Sequence, residues 1–181
     1  MSDPILIADY DPDWPRLFAE LGARLRAALG PVAMRIDHIG ATSIPGMASK
    51  PVTDVQISVA SFEPLAAFKA PLETLGFVHR ADNPDLSKRY FREPPGDRRM
   101  HLHVRLAGGW SEQFALLFRD YLRAHDEDAA WYGTIKRDLA EQYRDDRGGY
   151  TAAKTPYLWE IMQKADRWAQ ETGWAPGPSD T

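Results

Sequence analysis

HIGATSIPGMASKPVTDVQISV, residues 38–59, decides how this chain folds. Its last seven residues, TDVQISV (53–59), alternate as a strand. Val55, Ile57 and Val59 share one face, and Asp54, Gln56 and Ser58 share the other. One face seeks a core and the other seeks water or a ligand. Just upstream, VAMRIDHI (32–39) reads as another strand, with Met34, Ile36 and His38 on one face and Arg35, Asp37 and Ile39 on the other. Between them lies GATSIPGMASKP (40–51), which holds Gly40, Thr42, Ser43, Gly46, two prolines and Lys50. Backbone N–H groups, two hydroxyls and a lysine can cradle phosphate oxygens. The same hydroxyls can equally satisfy their own backbone in a tight turn. The loop is not a Walker A motif, because Gly46 is followed by Met47. It is not a nucleophile elbow either, which would need Ser at position 42 and Gly at 44.

Outward from this stretch the pattern is mixed. DPDWPRLFAELGARLRAAL (11–29) carries Trp14, Leu17, Phe18, Leu21 and Leu25 at helical spacing and stops at Gly30-Pro31. FEPLAAFKAPLETLG (62–76) predicts a second helix, kinked at Pro71 and closed by Gly76. FVHR (77–80), KRYFRE (88–93) and RMHLHVRL (99–106) predict three more strands, with PPGD (94–97) turning between the last two. From residue 111 the pattern is helical. Phe114, Leu117, Phe118, Tyr121 and Leu122 form one apolar stripe, and Ala129, Tyr132, Ile135, Leu139 and Tyr143 form another. RDDRGG (144–149) predicts a polar loop. Thr155 then caps a last helix with Pro156 at its first position and Leu158, Ile161, Ala165 and Trp168 on its buried side. The expected architecture is α+β: one domain over 1–172, with a helical C-terminal third and a flexible Gly- and Pro-rich tail at 173–181.

Composition narrows the function classes. Hydrophobic residues make up 44% and charged residues 27%, as in soluble globular chains. A net charge of −4 argues against general nucleic-acid binding. Without cysteine there is no disulfide and no thiolate metal site, which fits a reducing compartment. The acidic start MSDPILIADYDPDW lacks the basic and apolar regions of a leader peptide, and no stretch approaches the ~20 apolar residues of a membrane span. A cytoplasmic protein is expected.

Several residues could carry chemistry. Asp54 opens its strand just after the loop, where a carboxylate can hold a hard cation such as Mg²⁺. His101 and His103 lie two apart on a strand and so share a face with Arg105. Such a pair can ligate a metal, donate to phosphate or exchange protons near neutral pH. It can also be a hydrogen-bonded structural pair. Lys88, Arg89, Arg92, Arg98 and Arg99 surround the same region; Arg89 shares a face with Phe91, and Lys88 with Tyr90 and Arg92. They read either as phosphate contacts or as a charged edge strand. YTAAK (150–154) could present Tyr150 and Lys154 to a base and a phosphate, or merely anchor the following helix.

These motifs, in order, resemble the GrpB family (UPF0157), whose core signature runs H-I-G-S-T-S-V-P-G-L-x-x-K-P followed by an apolar-flanked Asp. KRYF, RMHLHV, the helical stretch LLFRDYLRAHDEDAAWYGTIKRDLA and YTAAK resemble its later motifs, so the likeness runs from about residue 10 to 168. The resemblance implies a nucleotidyltransferase-like fold, a small mixed sheet with helices packed on one side. It also implies a predicted nucleotidyltransferase activity, in a domain joined in some proteins to dephospho-coenzyme A kinase. On this reading Asp54 is the catalytic and metal-holding acid for a divalent metal, Mg²⁺ by expectation, and His101 or His103, near where the superfamily has a third acid, are candidate further ligands. Gly40, Thr42, Ser43, Lys50, Gln56, Arg89, His101, His103 and Lys154 would contact a nucleotide or similar phosphorylated ligand. The chain departs from the superfamily's D-x-[DE] pair, since Gln56 stands where a second acid is expected. Two-metal transfer needs anionic ligands for both ions. A module that binds a nucleotide or small anion without turnover is therefore the alternative. A transition-metal hydrolase centred on His101 and His103 is a third reading.

Overall fold

The computed structural model describes residues 4–181; the first three residues of the acidic start lie outside it. Helix α1 (Trp14–Leu29) has Pro15 in its first turn, where a missing N–H costs nothing, and ends at Gly30. It buries Phe18, Leu21, Leu25 and Leu29 on one stripe. Strands β1 (Arg35–Ile39) and β2 (Thr53–Val59) flank the loop as expected. Helix α2 (Ala66–Thr74) contains Pro71 within its length. Strands β3 (Val78–His79), β4 (Arg89–Arg92) and β5 (Met100–Leu106) follow. Three helices complete the chain: α3 (Trp110–Ala124), α4 (Asp126–Gln142) and α5 (Arg147–Thr172).

The strands form one mixed sheet in the order β1-β2-β5-β4-β3. β2 and β5 run parallel, and the other pairs are antiparallel. Val55, Ile57, Val59, Leu102, Val104 and Phe91 face α1 and α2 and form the main core with Phe18, Leu25, Phe68 and Leu72. Burying each large apolar side chain there is worth roughly 1.5–3 kcal/mol. The helical third has its own core of Tyr121, Leu122, Tyr132, Ile161 and Ala165, which the loop residues Ile44 and Met47 join. It also covers part of the polar sheet face. Gln56 and Ser58, which could have faced water, are buried beneath α3, where Gln56 Nε2 donates to the Glu112 carbonyl.

Two expectations are corrected. α5 starts at Arg147 rather than at a Thr155 cap, because the Asp146 carboxylate accepts from Gly149 N at 2.8 Å. Pro156 therefore sits inside the helix, and YTAAK forms its early turns. The segment 173–181 is not a loose tail. Ile36 N donates to Ser179 Oγ at 2.8 Å, and His38 N donates to Asp180 Oδ2 at 2.9 Å. β1 is an edge strand, so its outward N–H groups need partners, and these two side chains supply them. Among the described residues no helix is long and apolar enough to cross a membrane.

Candidate functional site

Register on the polar sheet face builds the site. Parallel pairing sets Asp54 opposite His101 and Gln56 opposite His103. Antiparallel pairing on the far side sets Arg92 opposite His101 and Tyr90 opposite His103. His101 Nδ1 and His103 Nε2 both reach Asp54 Oδ1 at 3.1 Å. Burial alone would raise the Asp54 carboxyl, but the hydrogen bonds from His101 and His103 outweigh it and hold Asp54 well below the usual carboxylate range. Burial pushes His103 down to about 4 despite Asp54, so its ring is neutral at pH 7. The remaining nitrogens, His101 Nε2 and His103 Nδ1, are buried without a protein partner among the described residues.

Gly40 closes the floor. It adopts φ +71°, and a Cβ there would lie 2.8 Å from Asp54 Oδ2. The hydroxyls of the turn face inward. Thr42 Oγ1 bridges His38 Nε2 and the Val52 carbonyl, and Ser43 Oγ donates to the Gly40 carbonyl at 2.6 Å. The self-satisfied turn is the reading that fits Thr42 and Ser43. Gln56 is also turned away from ligand. Its Oε1 accepts from Arg105 at 2.5 Å, and its side chain is sealed under α3. Arg89 lies on the core face, with its guanidinium 4.1 Å over the Phe62 ring. These four leave the expected ligand set.

Above Asp54 opens a cleft of about 700 Å³. Asp54 is the one acid among its described wall residues, against eight cations. Lys88, Arg92, Arg99 and Arg105 come from the strand side, Lys50 from the loop, and Lys136, Arg147 and Lys154 from α4 and α5. Some are already engaged: Lys88 with Asp85, Arg92 with Glu93, and Lys136 with the Ala48 carbonyl at 2.6 Å. Lys50 and Lys154 instead flank the Tyr150 ring, with ammonium groups 4.6 and 5.4 Å from its centroid. The Tyr150 hydroxyl is buried without a partner among the described residues. Burial, then repulsion from Lys154 and Arg147, pushes Lys50 down to about 8. Burial, then Lys154 and Lys50, pushes Lys136 down to about 7. Burial and mutual repulsion thus disfavour the charged forms of both lysines in the free protein.

Asp54, Gly40, Lys50, His101, His103 and Lys154 line one cleft. Sequence reasoning missed Lys136 and Arg147. The signal for Lys136 was its place four residues after Tyr132 on an apolar stripe, where a charge has no reason to be unless something pairs with it.

Asp54, His101 and His103 also offer three metal-ligand atoms within 4.8 Å of one another. The N–O separations of 3.1 Å are close to those between adjacent ligands bound at ~2.0–2.2 Å from one ion. Burial keeps His103 neutral, as ligation requires. The residues fit a divalent metal.

Known proteins share this frame. A crystal structure of the conserved protein GrpB from Enterococcus faecalis superimposes with a TM-score of 0.81 at 29% identity, covering 90% of this chain and 99% of that one. The Cid1 poly(U) polymerase with Mg 3′-dATP bound superimposes at TM-score 0.52 and 14% identity, covering 81% of this chain and 49% of that one. The fold is nucleotidyltransferase-like. UPF0157 protein YqkA of Bacillus subtilis is 36% identical over 159 residues, 88% of this chain and 46% of YqkA. A dephospho-CoA kinase of Mycolicibacterium paratuberculosis is 31% identical over 198 residues, 96% of this chain and 49% of that protein. The chain spans about half the length of these two relatives. The family described as GrpB protein matches residues 4–164, and this chain belongs to it.

Proposed function

We propose that the cleft binds a nucleotide or similarly phosphorylated small molecule together with a divalent metal. The observation that carries this is the wall itself: eight cations and one acid line one cleft in a chain of net charge −4. Lys50, Lys136 and Lys154 hold phosphate oxygens, and the unpartnered Tyr150 hydroxyl donates to one of them. Gly40 lets the backbone pass close to the Asp54 carboxylate without a clash. Asp54, His101 and His103 hold the metal, and two imidazoles with one carboxylate suit Zn²⁺, Fe²⁺ or Ni²⁺ better than Mg²⁺. A metal so held supplies charge neutralisation and polarisation at a phosphoryl oxygen.

Turnover and binding alone are distinguished at one residue. Nucleotidyl transfer by positioning and charge stabilisation is served by Asp54 and the lysines. Binding without turnover is favoured by Gln56, which occupies the second acid's place and is tied to Arg105. Nucleoside triphosphates with each metal are expected to raise the melting temperature, and Asp54→Ala to abolish the metal-dependent part. No shift with any nucleotide at millimolar concentration, and no effect of Asp54→Ala, would remove the basis of the proposal. Labelled nucleotide across an acceptor panel separates the readings. Product that disappears in Asp54→Asn establishes transfer, and binding without product establishes the second reading.

A further inference from the structure

At the mouth of the cleft three aromatic rings gather: Phe114 packs against the core of the helical third, while Trp110 and Trp159 stand exposed beside it. Trp110 is 70% exposed and Trp159 is 47% exposed. Phe114 lies one turn along α3 from Trp110, with ring centroids 4.9 Å apart, and 5.6 Å from Trp159 on α5. Trp110 and Trp159 are themselves 6.5 Å apart and inclined by 32°. The group is continuous with the cleft, because Phe114 and Leu158 belong to its wall. α3 and α5, which share the core of the helical third, bring these rings together from two elements, and Trp110 and Trp159 stand exposed beyond what that core buries.

Its position relative to charge identifies the occupant. Lys154 and Leu158 are one turn apart on α5, and Trp159 follows directly. Five residues of helix advance about 7.5 Å. Those five residues also turn about 140° around the helix axis, so Trp159 is set off from the face of Lys154 and meets the cleft through Phe114, 5.6 Å away; a ligand with phosphate on Lys154 reaches the rings past Leu158 and Phe114 over a short spacer. A nucleotide has that layout, with a ribose between phosphate and base. Base–aromatic stacking tolerates any base, since every base has a π-face. A purely inorganic anion has no use for the rings, and an apolar ligand has no use for the lysines.

We infer that Trp110, Phe114 and Trp159 form a stacking shelf for the nucleobase of the ligand whose phosphates sit among Lys50, Lys136 and Lys154. The inference rests on the phosphate-binding reading of the cleft and narrows its ligand to base-bearing phosphates. The indole faces are the binding surface, and the base lies against them at the cleft mouth.

Calorimetric titration with ATP and with inorganic tripolyphosphate, followed in parallel by tryptophan fluorescence, tests it. ATP is expected to bind about ten-fold or more tighter than tripolyphosphate and to quench fluorescence. Trp110→Ala and Trp159→Ala, both at exposed positions, are expected to lower ATP affinity about ten-fold and to leave tripolyphosphate binding unchanged. Equal binding of both probes, unaffected by either variant, overturns the shelf and leaves the phosphate cleft standing. Binding of neither probe overturns the cleft reading and the shelf with it. Self-association in sedimentation velocity that is lost in Trp110→Ala, without any preference for ATP, overturns the shelf in favour of a contact between copies of the chain.

Discussion

Gly40 and Asp54 are fitted to each other across the β1–β2 turn: a Cβ on Gly40 would stand 2.8 Å from Asp54 Oδ2, at a residue with φ +71°. Close approach and left-handed backbone both demand glycine here. Gly40→Ala is expected to cost roughly 1–3 kcal/mol through backbone strain. It should also displace the carboxylate from His101 and His103. Denaturant unfolding measures the first effect and metal titration the second. Wild-type metal affinity in the variant would contradict the fit.

Arg89 and Lys50 carry like charges but lie on opposite sides of the sheet. Lys50→Ala or Lys154→Ala is expected to weaken tripolyphosphate binding about ten-fold, or ~1.4 kcal/mol. Arg89→Ala is expected to leave it unchanged. Equal losses in all three variants would mean that the cleft is not the anion site.

Anion binding should depend on pH through Lys50 and Lys136, held near 8 and near 7 in the free protein. The charged lysines bind phosphate, and a bound anion raises both values. Proton uptake on binding is therefore expected around pH 7–8, with affinity falling as pH rises through that range. Calorimetry in buffers of different ionisation enthalpy reads the protons directly. Binding with no proton uptake at pH 7.5 would exclude these lysines from the contact.

His103 and His38 are both pushed down to about 4, in each case first by burial. Their folded values lie below the ordinary histidine value of 6.5, so the unfolded chain holds more protons between about pH 6.5 and 4. Their contribution to stability is complete above 6.5 and is lost as pH falls through the folded value. Asp54, also depressed, adds its own loss below its ordinary value of 3.8. The denaturation midpoint should fall between pH 7 and 4.5, and His103→Asn should flatten that slope. An unchanged slope in the variant would contradict the assignment.

Asp180 joins the edge of β1 to α3, accepting from His38 N and from Arg119 at 2.9 Å each. Arg119 is buried. Asp180→Ala strands the His38 N–H and removes one partner of Arg119, which keeps Asp120 and the His38 carbonyl, and is expected to cost about 1–3 kcal/mol. Faster amide exchange at His38, with unchanged tripolyphosphate affinity, is the expected signature. Unaltered exchange at His38 would show that the segment does not protect the strand.

Much of the fold was legible because strands and helices write their period into the chain. The two-residue alternation of TDVQISV assigned Val55 and Ile57 to the core and Asp54 to the other face. The same rule placed His101 with His103 and Leu102 with Val104. The α5 start was misjudged because the local cap signals of Thr155-Pro156 compete with Asp146, whose carboxylate reaches Gly149. The tail was misjudged because Gly and Pro report local freedom, whereas Ser179 and Asp180 are ordered by an edge strand some 140 residues earlier in the chain.

The sequence by itself determined which residues share a face, where the turn lies and which acid heads its strand, since those properties depend on neighbours along the chain. Only the tertiary structure decided which face of each strand meets solvent, because that depends on the order β1-β2-β5-β4-β3 and on the elements packed against each side. Parallel pairing of β2 with β5 brings Asp54 to His101 and His103. The opposite face takes Arg89 to Phe62. The same packing turns Thr42, Ser43 and Gln56 inward, since a buried polar group must find a partner, and these found theirs within the protein. Lys136 and Lys154, far along the chain, join Lys50 in the wall of the same cleft.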